Sequence, residues 1–130
     1  MAWGIRTTRT VGGYLEILYS SANADLKQSI VIDATSVAAD VNGDRKLAAG
    51  TLMTKNPTTG QYERFTAAAG QTNGIAGVLA TDEVFPTGDD RSDRDSQMWC
   101  HGQQFRADRI VDWVTHAAAA RTALPTCQFK

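Results

Sequence analysis

This chain of 130 residues is short of several things, and each shortage removes a class of function. It has two cysteines and two histidines. A zinc site needs three or four compactly spaced nitrogen or sulfur ligands. Cys100 and His101 are adjacent, whereas His116 and Cys127 stand apart. As neighbours in a predicted strand, Cys100 and His101 are expected to face opposite ways and not to share an ion. No metal and no other cofactor is expected. No apolar run approaches the ~20 residues of a membrane span. No continuous apolar segment follows Arg6 and Arg9, so the N-terminal region does not read as a signal peptide. The expectation is a protein made and kept in a cytoplasm, with no membrane partner. There, Cys100 and Cys127 are expected to be reduced core residues rather than a disulfide.

Charge of one sign is also scarce. Thirteen basic and fourteen acidic residues give a net charge of −1. Phosphate binding needs a concentrated basic footprint, so nucleic acid is not an expected partner. Catalytic motifs are missing too. There is no Gly-x-Ser-x-Gly elbow and no Walker loop, and Gly74-Ile75-Ala76-Gly77 lacks the spacing and the following helix of a phosphate cradle. Asp40-Val41-Asn42-Gly43-Asp44 begins like a calcium loop. Where that loop needs a glycine and later an acidic ligand, this chain has Arg45 and Thr51, so a plain turn is expected. The chain is not expected to be an enzyme.

What is present is scaffold. Apolar residues make up 42% and charged residues 21%, a globular balance for one domain. Gly50 to Phe65 reads as a hairpin: Pro57-Thr58-Thr59-Gly60 supplies the turn, with Leu52, Met53, Tyr62 and Phe65 as apolar contacts. Ser29–Asp33, Ile75–Ala80 and Ser96–His101 read as further strands, and Pro125 to Phe129 as a last short one. A helix is predicted from about Asp108 to Thr122, with Ile110, Val111, Val114, Ala117 and Ala118 as its apolar face. Asp112 and His116, four apart, are placed to pair weakly. Trp99 and Trp113 are expected in the core, with Trp113 also a candidate for a subunit interface because it lies off the main helix stripe. Many short strands and one late helix predict a mainly-β, α+β fold: a small barrel-like domain over 14–130 and an extended N-terminal arm over 1–13.

The arm is rich in threonine, and residues 1–15 carry Arg6 and Arg9 with no acid. Residues 82–95 carry six acids against two bases, a net of −4. Threonine and valine favour extended chain, and a polar extended arm suits addition to the edge of another protein's sheet. Trp3, Ile5, Arg6, Thr7, Thr8 and Arg9 are the candidate contact residues, chosen from this local argument.

Two stretches carry a family resemblance. The hairpin with its Thr-Gly-aromatic turn, followed by Gly74-Ile75-Ala76-Gly77-Val78-Leu79, resembles the lambda-type head decoration proteins of tailed bacteriophages. So does Gly102-Gln103-Gln104-Phe105-Arg106 leading to Trp113. The resemblance spans roughly residues 45–130, by eye and in order. It implies a β-rich fold and a structural virion protein on the capsid exterior. It further implies a homotrimer at three-fold positions of the expanded shell, bound to the major capsid protein and stiffening the shell against packaged DNA. The region from Val11 to Ile32 departs from the lambda pattern in being longer and more apolar. Another virion part, such as a tail or connector subunit, and a small ligand-binding β-barrel are the alternative readings.

Overall fold

The computed structural model describes residues 17–20, 22–69, 71–85 and 94–130. Among these residues, ten short strands, two 3₁₀ turns and one helix over 113–123 make up the regular structure. The strands and the helix are β1 (Leu18–Ser20), β2 (Gln28–Ile32), β3 (Arg45–Leu47), β4 (Leu52–Lys55), β5 (Tyr62–Arg64), β6 (Gly77–Leu79), β7 (Glu83–Phe85), β8 (Arg94–Trp99), β9 (Gln104–Phe105), α1 (Trp113–Ala123) and β10 (Gln128–Phe129). Strands β2, β5, β4, β6 and β8, in that order, close a barrel. A β1-β9-β10 sheet and a β3-β7 pair flank it. The mainly-β barrel with a helix near the C-terminus is thus as the composition and strand pattern predict. The arm expected over 1–13 lies outside the described residues.

Alternation along the barrel strands builds two cores. Leu52, Val78 and Trp99 pack with Leu18, Phe105 and Phe129. Their immediate neighbours Met53, Leu79 and Met98 pack with Ile30, Ile32 and Phe85. Cross-strand register keeps each set together: Leu52 lies opposite Val78, Val78 opposite Trp99, and Leu79 opposite Met98. A strand buried on both faces reads as a continuous apolar run, which is why β6 is wholly buried.

The hairpin turn is fixed by one side chain. Asn56 Oδ1 accepts from the backbone N–H of Thr58 at 2.8 Å and of Thr59 at 3.2 Å. Gly60, at φ +75°, then closes the turn with its N–H on Asn56 O at 2.9 Å. Two glycines have a different purpose. A Cβ on Gly50 would sit 2.6 Å from Arg109 O, and one on Gly77 2.7 Å from Trp99 O. Both admit a neighbouring backbone that a side chain would push away.

The helix differs from its prediction. Residues 107–109 form a separate 3₁₀ turn, and Asp112 takes a left-handed conformation at φ +57° before α1 begins at Trp113. The offset turns the predicted apolar face outward. Val114 is 94% exposed, and Ala120 is the one helix residue that is buried. Ile110 is buried, but from the turn before the helix.

The barrel is not closed evenly. Strand β2 pairs with β8 over five residues, Gln28–Ile32 against Met98–Arg94. On its other side it meets β5 at a single parallel pair, Ile32 and Tyr62, extended by Asp33 N–H on Tyr62 O at 3.0 Å.

Candidate functional site

The residues predicted to touch a partner, Trp3, Ile5, Arg6, Thr7, Thr8 and Arg9, lie outside the described residues, as do 86–93 of the acidic loop. Residue 17 is the first that the structure describes. Ile17 is buried, its carbonyl accepts from Arg106 N–H at 2.8 Å, and its Cδ1 packs against Gly50. Next, β1 lies antiparallel to β9, with Leu18 opposite Phe105 and Ser20 opposite Gln104. Residues 17–20 are therefore held by main-chain bonds and a core side chain.

Trp113 stands at the end of a chain of rings. Trp99, fully buried and donating from Nε1 to Ala24 O at 3.1 Å, lies 6.1 Å from Phe105 between ring centroids. Phe105 stacks on Phe129 at 5.2 Å, and Phe129 stacks on Trp113 at 4.8 Å. The Arg121 guanidinium sits over the Trp113 ring at 4.9 Å and donates to Phe129 O at 3.5 Å. Nearby, Lys130 Nζ lies 5.0 Å over the ring of Tyr19, which is 60% exposed. Trp113 itself is half-buried, so the structure gives it both a packing role and an accessible edge. Sequence reasoning found Trp113 but missed Arg121, Tyr19 and Lys130. The signal available was an arginine eight residues along the same helix, two turns away.

Other predicted pairings fall differently. The Asp112 carboxylate pairs with the Arg64 guanidinium rather than with His116, whose ring instead meets Phe65 edge-on at 5.0 Å. Cys100 and Cys127 sit just outside strands β8 and β10 rather than within them, and both are free thiols. Because β8 ends at Trp99, alternation does not separate Cys100 from His101. Cys100 Sγ lies 3.2 Å from His101 Nδ1 and 3.3 Å from Gln28 Oε1. Among the described residues no group of three or more His, Cys, Asp or Glu is placed to hold a metal ion. Burial pushes both thiols above their ordinary range; at Cys127, hydrogen bonds from the Gln103 backbone and the Thr126 side chain pull partly the other way.

Two open depressions also mark the surface. One, of about 710 Å³, is floored by Ser29, Tyr62, Glu83 and Ser96. Its Glu83 Oε2 accepts from Ser96 Oγ at 2.7 Å and Thr81 Oγ1 at 3.0 Å, and Arg94 approaches the other carboxylate oxygen at 3.8 Å. The other, of about 720 Å³, runs along β3 and β7 between Asp44, Lys46, Arg64 and Asp82. Asp82 Oδ1 there accepts from Ala49 N–H at 2.7 Å. These carboxylates are engaged in holding loops to strands. Around Trp113 and Tyr19, by contrast, partly exposed rings carry cations over their faces.

No family model, no curated protein and no solved structure matches this chain.

Proposed function

We propose that this chain is a structural virion protein of the head-decoration type. It binds the outer surface of an expanded phage capsid as a trimer at three-fold positions and stabilises the shell against packaged DNA. One observation carries the reading. The two stretches that resemble the decoration proteins, Gly50–Val84 and Gly102–Trp113, meet in space. Gly50 O accepts from Val111 N–H at 3.1 Å, the missing Cβ of Gly50 makes room for Arg109 O, and the Arg64 guanidinium pairs with the Asp112 carboxylate. Residues far apart in sequence and alike to one family thus build a shared joint. Fold alone does not establish function, and the resemblance supplies the rest.

In this reading the arm reaches the major capsid protein by strand addition, with Trp3, Ile5, Arg6, Thr7, Thr8 and Arg9 making the contacts. Closed cyclic symmetry holds three such arms together, and effective concentration multiplies their individually weak contacts. Trp113 serves the subunit interface.

Cryo-EM of expanded capsids lacking this protein, before and after addition of the purified chain, tests the proposal. New density at three-fold positions is expected. A well-folded protein that adds none would turn the assignment toward a tail or connector subunit, or toward a ligand-binding barrel. Removing residues 1–10 is expected to leave the fold intact and to abolish most capsid affinity. Unchanged binding by the truncated chain would eliminate strand addition while leaving decoration standing.

A further inference from the structure

The loop that begins like a calcium site has a different chemistry available. Asn42-Gly43 sits at the tip of the turn between the 3₁₀ residues 34–36 and β3, with Val41 beside it fully exposed. Asn42 makes no side-chain hydrogen bond to any described residue; its backbone N–H goes to Asp40 Oδ1 at 2.8 Å. Gly43 holds φ +84°, and nothing lies within 4 Å of where its Cβ would be. The nucleophile and the carbonyl are therefore adjacent, uncrowded and open to water.

We propose that Asn42 is a site of spontaneous deamidation to aspartyl and isoaspartyl products. The Gly43 backbone nitrogen, after losing its proton, attacks Asn42 Cγ. The new N–Cγ bond closes a succinimide as the Cγ–Nδ2 bond breaks, and the side-chain nitrogen leaves as ammonia. Water then opens the ring. Attack at Cγ gives an ordinary aspartyl residue, and attack at the former backbone carbonyl gives the β-linked isomer. Asparagine and water become an acid and ammonia, with no redox partner. The reaction does not depend on the capsid assignment.

The turn sets the pace. Gly43 N–H donates to Asp40 O at 3.0 Å, and that bond opens before attack. An exposed turn opens locally at low cost. A second Asn-Gly pair provides an internal comparison. Asn73 Nδ2 donates to Lys55 O at 3.0 Å, and Gly74 O accepts from Thr54 Oγ1 of β4. Asn73 is held to the barrel at both the side chain and the following residue; Asn42 is not.

The consequence is local and directional. Asp40 Oδ1 also accepts from Asp44 N–H at 3.1 Å, and Asp40 N–H donates to Asp44 O at 2.8 Å. A β-linkage lengthens the backbone inside this ring of bonds, and either product places a new negative charge beside Asp40 and Asp44. The turn loosens while β3, paired to β7 beyond it, stays in register.

The test incubates the purified full chain at mildly alkaline pH. Peptide mass spectrometry follows replacement of NH₂ by OH at each site, and a methyl-transfer assay detects isoaspartyl groups. Asn42 is expected to convert roughly tenfold faster than Asn73, the factor that one additional hydrogen bond to be broken supplies. The rate should rise with pH, and Asn42→Gln should remove most of the isoaspartyl signal, leaving only the slow contribution of Asn73. An unstructured peptide of residues 39–46 calibrates the conditions. Conversion in the peptide but not in the folded chain would overturn the proposal, as would Asn73 reacting as fast as Asn42.

Discussion

Single residues decide how closely the backbones of this fold approach one another. Gly50 and Gly77 sit where a methyl group would strike a carbonyl oxygen, Arg109 O in one case and Trp99 O in the other. Gly50 also holds φ +94°, which an L side chain adopts at a cost. Alanine at either position should destabilise the fold by about 1–3 kcal/mol, the usual range for overpacking. Urea unfolding should show lower midpoints with unchanged slopes, and a variant as stable as the parent would contradict the close approach. The thiols act through pH. Burial raises both, so the folded chain keeps its protons to a higher pH than the unfolded chain. Their contribution is complete below the ordinary thiol value of 9.0 and is lost as pH climbs from there through the folded values. Replacing Cys100 and Cys127 with alanine should therefore flatten the fall in stability as pH rises above about 9. If parent and double variant lose stability in parallel, the thiols are not the cause.

At the scale of elements, the helix is the informative case. Only Ala120 of α1 reaches the core, while Val114 stands almost wholly in solvent. Ala120→Leu should cost about 1–3 kcal/mol by overpacking, and Val114→Lys should change stability by no more than about 0.5 kcal/mol. Thermal unfolding of the two variants checks both, and the reverse order would restore the face expected from sequence. That expectation failed for a physical reason. Spacing of apolar residues fixes a helical face only once the starting residue is known, and the left-handed Asp112 moved the start from Asp108 to Trp113. The hairpin, by contrast, was legible from Pro57, Thr58, Thr59 and Gly60, which carry local turn chemistry that needs no tertiary context, although the Asn56 side chain that fixes the turn was not singled out. Strands β3 and β7 were not legible. Arg45 is buried there with its Nε donating to Val37 O at 3.0 Å, and a charged residue in a short segment gives no apolar signal.

At the scale of the whole molecule, the sequence told where several strands lie but not which strands meet. Ring order and the parallel β2–β5 and β9–β10 contacts depend on long-range pairing with no local mark. The contact of Ile17 with Gly50, which anchors the first described residue, was likewise not singled out by the sequence. Uneven closure of the barrel predicts uneven opening. Amide hydrogen exchange should be slowest along the five-residue β2–β8 ladder and markedly faster at the one-pair β2–β5 seam. Equal protection on both sides would mean that the barrel opens only as a unit. Strand β9 lies between β1 and β10, so the segments next to both chain ends lean on the same two residues, Gln104 and Phe105. The connection from β1 to β2 is tied to the same place, with Asn23 Nδ2 donating to Gly102 O at 2.7 Å and Gln103 Nε2 donating to Asn23 O at 2.6 Å. One two-residue strand thus acts as a clasp, and loosening it frees β1 and β10 together.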